Sequence, residues 1–236
     1  MKNGVLSGTF KVATDVSGGT HDIVITGEKS GAQTFANAFT VSMEIALNPG
    51  WNLISLPVIP ANSSISDFTS RISPPGSIYS IGTYDCGSNV YRYWLFSSQT
   101  GTLTSIVDGK SYWVWARNAC TISVPGRACP ATTSASLPTI YQYSLCYMPT
   151  TNPDPDGWNM LGFKSTAMNM KAETYLAELL HDSTGMELSN SKYTSLYRYD
   201  SATSKWISVG KTDNMTPGAG YFIKMRESGK ITPPCD

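Results

Sequence analysis

Two histidines, His21 and His181, are the only imidazoles among 236 residues, and imidazole is the side chain best suited to general-base work near neutral pH. A Ser-His-Asp arrangement also needs a nucleophile held on a sharp turn, and the chain has no Gly-x-Ser-x-Gly elbow. His21 reads as a strand or turn residue. His181 follows a helical apolar stripe and reads as a helix C-terminal side chain, where its charge meets the helix dipole. Thr216-Pro217-Gly218-Ala219-Gly220 lacks the Gly-Lys-Ser/Thr ending of a phosphate loop and runs into a strand pattern. No catalytic residue is assigned, no cofactor is expected, and the chain reads as a protein that is not an enzyme.

Five cysteines, Cys86, Cys120, Cys129, Cys146 and Cys235, include no Cys-x-x-Cys pair and stand far from either histidine. Zinc ligands come in short-spaced pairs, so disulfides are the better expectation. Asn152-Pro153-Asp154-Pro155-Asp156-Gly157 opens like a calcium loop, but its twelfth position is Phe163 instead of a bidentate glutamate. A stiff turn is the simpler reading, and no metal site is assigned.

The remaining residues with chemical potential are aromatic. In Tyr91-Arg92-Tyr93-Trp94, alternation puts the two tyrosines on one strand face and Arg92 with Trp94 on the other; Tyr197 and Tyr199 share a face in the same way. Exposed rings beside polar groups can stack against the C–H face of a sugar, so these six residues are candidate glycan-binding positions. Aromatic strands also build cores through cross-strand pairs, and core packing is the favoured expectation.

Composition narrows the setting. Basic and acidic side chains balance at 17 each, which excludes a strongly cationic face for nucleic acid. Charged residues make up only 14%, neutral hydroxyls are abundant, and 41% hydrophobic residues suffice for a core. No apolar run reaches the ~18 residues of a bilayer span, so no membrane insertion by this chain is expected. With the cysteines and the sequons at Asn62 and Asn214, candidate glycosylation sites, these features suggest an extracellular or cell-surface location.

The elements follow from periodicity. Gly8–Ala13, His21–Thr26 and Ala36–Val41 alternate as three short strands, with glycine turns between them. Further on, Gly50-Trp51-Asn52-Leu53-Ile54-Ser55-Leu56 recurs as Gly157-Trp158-Asn159-Met160-Leu161-Gly162-Phe163. Tyr84-Asp85 then matches Tyr199-Asp200, Trp94 matches Trp206, and Asp108-Gly109-Lys110-Ser111-Tyr112-Trp113-Val114 matches Pro217-Gly218-Ala219-Gly220-Tyr221-Phe222-Ile223. Trp51 and Trp158 are expected to bury their rings on a first strand, paired with a last central strand at Tyr112–Trp115 or Tyr221–Lys224. Short helices are predicted over 66–72 and 171–180, the second with a stripe of Tyr175, Leu176, Leu179 and Leu180.

Within the alignment Cys86 stands opposite Ser201 and Cys120 opposite Gly229, so both cysteines of the first unit are missing together from the second. That predicts a Cys86–Cys120 bridge, with Cys129 and Cys146 closing the connector between the units. A competing pairing joins Cys235 to Cys129 or Cys146.

The duplicated motif resembles the Gly-Trp-Asn-Leu-Ile-Ser-Leu-Pro repeat of secreted and S-layer-associated surface proteins of archaea and bacteria. The second copy departs from it, with Gly162-Phe163-Lys164 in place of Ser55-Leu56-Pro57. The Gly-Gly-Thr-His turn at Gly18–His21, Ile23-Val24-Ile25-Thr26-Gly27 and Phe39-Thr40-Val41 resemble the closing strands of IPT/TIG-type immunoglobulin-like modules. This second resemblance implies a chain that starts inside a domain, with an open edge over 5–43 for self-association.

The expected architecture is therefore mainly β: a partial immunoglobulin-like β segment (1–44), a first repeat domain (45–127), a Ser/Thr/Pro-rich connector (128–154) and a second repeat domain (155–236), each repeat with one short helix. The expected function is non-enzymatic: a structural and adhesion module for surface display and subunit contacts, with neighbouring surface-protein subunits or glycans as partners. The alternatives are a carbohydrate-binding appendage of a secreted enzyme and a virion or surface-filament subunit.

Overall fold

The computed structural model describes residues 19–27, 31–127, 143–147, 157–181 and 191–232. Among them the chain is mainly β, with several antiparallel sheets and three short helices. The predicted strand at 8–13, the calcium-like turn at 152–156, Cys129 and Cys235 lie outside the described residues.

A hairpin of β1 (Gly19–Gly27) and β2 (Gly31–Leu47) comes first, paired from Gly19 opposite Val41 to Gly27 opposite Gly31 with a shift of register between His21 and Ile23. The predicted strands at 21–26 and 36–41 fall inside these two. β2 then continues, without a break at residue 44, into the first repeat. That repeat holds β3 (Gly50–Ser55), β4 (Ile59–Pro60), α1 (Ile65–Ser70), β5 (Ile72–Ser73), β6 (Ile78–Asp85), β7 (Val90–Leu95), β8 (Thr100–Gly101), β9 (Ser111–Ala116) and β10 (Cys120–Arg127). Its main sheet has the order β3-β9-β6-β7-β8; Ser42–Leu47 of β2 pair with β10 in a second sheet. Ile54, Tyr112 and Val114 from the first sheet, Leu47, Ile122 and Val124 from the second, and Phe68 of α1 form one core.

The second repeat holds β11 (Tyr143–Leu145), β12 (Trp158–Gly162), α2 (Ala172–Tyr175), α3 (Ala177–Leu180), β13 (Tyr193–Asp200), β14 (Lys205–Ser208), β15 (Gly220–Met225) and β16 (Gly229–Ile231). Its main sheet runs β12-β15-β13-β14, and β11 pairs with β16. β11 lies within the stretch read as connector, yet it repeats the part of β2 that pairs with β10: Leu47 faces Cys120 as Leu145 faces Gly229.

The helices differ slightly from the periodicity. α1 starts at Ile65, one residue early, because the Ser64 hydroxyl accepts from the Asp67 N–H at 3.3 Å and caps it. The predicted 171–180 helix divides into α2 and α3 at Leu176, where the Leu179 N–H bonds back three residues to the Leu176 carbonyl. All four stripe residues are buried, so packing on the sheet holds this broken helix in place.

The largest departure concerns which face of each main sheet is core. Trp51 is 44% exposed, Trp115 37% and Trp206 48%, while the inward positions carry Ile54, Tyr112, Leu161, Tyr221 and Ile223. The repeated tryptophans are not the core aromatics. Tyr112 and Tyr221 are, and each keeps its hydroxyl satisfied by the turn before its own strand: Tyr112 Oη accepts from Val107 N at 2.8 Å, and Tyr221 Oη from Thr216 N at 2.7 Å.

Candidate functional site

The two repeats meet along the faces of their main sheets that point away from their cores. Small residues make the closest approach. The Ser55 N–H donates to the Gly218 carbonyl at 2.9 Å, and the Gly162 N–H donates to the Gly109 carbonyl at 3.0 Å. Gly162 is the counterpart of Ser55 and Gly218 that of Gly109, so this is one contact made twice by a two-fold relation. The Ser55 hydroxyl shares its one proton between the carbonyls of Phe163 (3.0 Å) and Ala219 (2.7 Å), and Ser111 Oγ donates to the Tyr221 carbonyl at 3.3 Å. Where the first repeat has Ser55 and Ser111, the second has Gly162 and Gly220. A Cβ on Gly220 would lie 2.7 Å from both the Ile54 carbonyl oxygen and the Ser111 Cβ, and one on Gly162 would run into the Lys110 carbonyl. A side chain at either position would run into the first repeat, so the second repeat needs glycine at both Gly162 and Gly220.

Two further links cross the seam. Cys86, at the β6–β7 hairpin tip, forms a disulfide with Cys146, just after β11, with Cα atoms 5.8 Å apart. The predicted Cys86–Cys120 and Cys129–Cys146 pairings are thereby corrected. Cys120 is a buried free thiol that opens β10 opposite Leu47 inside the first core, whereas Cys86 faces the other repeat. Burial pushes the Cys120 thiol pKa upward, which favours the inert protonated form. The second link is a buried ion pair, Lys164 Nζ to Asp108 Oδ2 at 3.9 Å, with side chains 2% and 9% exposed. Burial lowers the Lys164 pKa and the Asp108 charge opposes that shift. The counterparts of Asp108 and Lys164 are Pro217 and Pro57, so this pair occurs once.

Asn52 and Asn159, buried and repeated, were not singled out from sequence. Asn52 Oδ1 accepts from Asn48 N at 3.0 Å and its amide donates to the Asn48 and Gly50 carbonyls; Asn159 does the same with Cys146 and Gly157. Each fastens the strand entering its repeat to the first central strand. An asparagine kept in both copies amid apolar neighbours was the available signal, since a buried amide needs several partners.

Beyond the Ser/Gly contact, the same faces carry rings. Trp113 packs edge-on against Tyr199 (5.1 Å) and Trp206 (5.7 Å) of the second repeat, and Trp51 against Trp115 (5.0 Å) of the first. Trp158, Tyr197, Trp206 and Phe222 line an open groove of ≈ 480 Å³. Register corrects one sequence match: Tyr84 pairs with Tyr91 and Tyr199 with Trp206, so the counterpart of Trp206 is Tyr91, not Trp94.

The candidate glycan positions consequently separate. Tyr91 and Tyr93 are exposed on β7, Arg92 points the other way and is also exposed, and Trp94 packs against the first core. Tyr197 lines the groove in the other repeat, and Tyr199 supports Trp206 at 5.4 Å. Trp158 and Phe222, missing from the sequence-based set, complete the lining. Both sequon asparagines, Asn62 and Asn214, are exposed. His181 lies at the C-terminus of α3 as expected, with Nδ1 3.1 Å from the Ala177 carbonyl; the backbone of His21 lies in β1. Among the described residues no group of three His, Cys, Asp or Glu side chains could hold a metal ion, and no helix is long and apolar enough to cross a membrane.

The described residues form a mainly β protein in which a disulfide links the segments that carry the two copies of the sequence repeat. No family model matches the chain, and neither a curated protein nor a solved structure matches it.

Proposed function

We propose that the chain is a non-enzymatic extracellular structural and adhesion module, which presents the two repeats as one stiff body and contacts neighbouring subunits through a strand edge. The observation that carries this reading is the doubled seam, with reciprocal backbone hydrogen bonds and a disulfide between the repeats. A disulfide persists in oxidising surroundings, which supports an extracellular or surface setting. Support for subunit contacts comes from β1, which among the described residues pairs only with β2 and leaves its outer edge to accept another strand.

Static light scattering of the oxidised full chain and of a form lacking residues 1–27 tests the reading. Concentration-dependent assembly of the full chain, lost on deletion, is the expected result. A full chain that stays monomeric at every concentration, or assembly unaffected by the deletion, overturns it.

A further inference from the structure

The two repeats finish the same sheet edge differently. In the first, the chain after β7 returns alongside it as β8, and the Tyr93 carbonyl accepts from the N–H groups of Thr102 at 2.8 Å and Leu103 at 2.9 Å. On the same side the Tyr93 N–H donates to Thr102 Oγ1 at 3.3 Å. Register makes Ser208 the counterpart of Tyr93, as Trp206 is of Tyr91. In the second repeat β14 is the last strand of its sheet among the described residues. One bond fixes the direction of its backbone groups. The Val209 N–H donates inward to the Leu196 carbonyl at 2.8 Å, and successive residues of an antiparallel strand turn their N–H and C=O to opposite sides. Ile207 therefore faces β13, while Trp206 and Ser208 hold their N–H and C=O toward the outer side, where no hydrogen bond among the described residues takes them.

We infer that β1 of a second copy adds to the outer edge of β14 as a further strand, so that copies join head to tail. This contact rests on the subunit role of β1 and gives that strand its counterpart surface. The first repeat shows what such an edge accepts: a short extended segment of this same chain, held by backbone hydrogen bonds. β1 is extended over nine residues, against the four of β14, and its outer side is unpaired among the described residues. An added strand also lies beside the indole of Trp206, 48% exposed, so cross-strand contact adds to the backbone bonds. Because β1 ends one sheet and β14 ends another, the contact joins unlike surfaces, and each added copy brings one further open edge.

The test is sedimentation velocity of the oxidised full chain, of full-chain Ser208→Pro, and of an equal mixture of the two. Proline removes the outward N–H and spares the pairing with β13, so the variant is expected to melt at the parent's temperature. Expected is a parent that assembles and a variant that needs about tenfold more protein to do so. In the mixture the assemblies should shorten, because a variant copy enters through its own β1 and then receives no further copy. Hydrogen exchange of the parent reads the same contact without any substitution. The Ser208 amide should slow on assembly, while the Ile207 amide, already turned toward β13, stays as it is. A variant that assembles as the parent does, a mixture with unshortened assemblies, or a Ser208 amide exchanging equally in dilute and assembled protein overturns this contact and leaves the subunit role of β1 standing. A parent that stays monomeric at every concentration overturns both.

Discussion

The amide of Asn48 donates to the Ser201 hydroxyl at 2.9 Å, at the position where the two-fold relation of the repeats places the counterpart of the Cys86–Cys146 disulfide. Asn48 corresponds to Cys146 because Asn52 and Asn159 clamp them in the same way, and Ser201 corresponds to Cys86 because each follows the aspartate of the same hairpin. The seam is latched at both ends, once covalently and once by a hydrogen bond.

Cutting the covalent latch has a calculable cost. Cys86→Ser opens a link spanning 60 residues and is expected to lower stability by ~4 kcal/mol in urea melts of the oxidised protein. Conversely, Asn48→Cys combined with Ser201→Cys should form a second bridge, read as no gain in free thiols before reduction and a higher melting temperature.

Steric closure at the seam gives a second expectation. Gly220→Ala forces the new methyl against the Ile54 carbonyl and the Ser111 side chain, and should cost about 1–3 kcal/mol by denaturant melting. Gly87→Ala serves as the control: its nearest neighbour is the Asp85 carboxylate at 3.5 Å, and its effect should stay within about 0.5 kcal/mol.

The buried ion pair should behave asymmetrically. Lys164→Met leaves the Asp108 carboxylate without its cation and is expected to cost about 3 kcal/mol. Adding Asp108→Leu to that variant should restore most of the loss, consistent with the prolines that serve at the corresponding positions. A double-mutant cycle in urea measures this, and a double variant no more stable than Lys164→Met alone would refute the argument.

Alkali should act through the core phenols. Burial raises the pKa of Tyr112 and Tyr175 well above the ordinary 10.0, so the unfolded chain releases their protons first. Their contribution is fully present below pH 10.0 and is lost as pH rises from there toward the folded values. Tyrosinate absorbance and circular dichroism followed together should show these two phenols ionising only as the fold is lost.

Much of this architecture was legible in sequence, and the failures have specific causes. The Gly-Trp-Asn and Gly-x-x-Tyr duplications located both main sheets, and the apolar stripe located α2 and α3. Alternation says which residues share a face but not which face becomes core, so Trp51 was placed inside when Ile54 and Tyr112 occupy that side. Trp94 was matched to Trp206 by residue type, but the two hairpins have equal length, with left-handed Asn89 and Ser204 at the same position, and this sets the register. The Cys86–Cys120 pairing keeps a bridge within one repeat. A reciprocal interface removes that restriction, because the partner of Cys86 lies in the other copy.

The uninterrupted course of β2 has a mechanical consequence. Tension applied at the hairpin enters the first repeat lengthwise, where Ser42 to Leu47 lie against Pro125 to Cys120. Those rungs share the strain in shear instead of unzipping one after another.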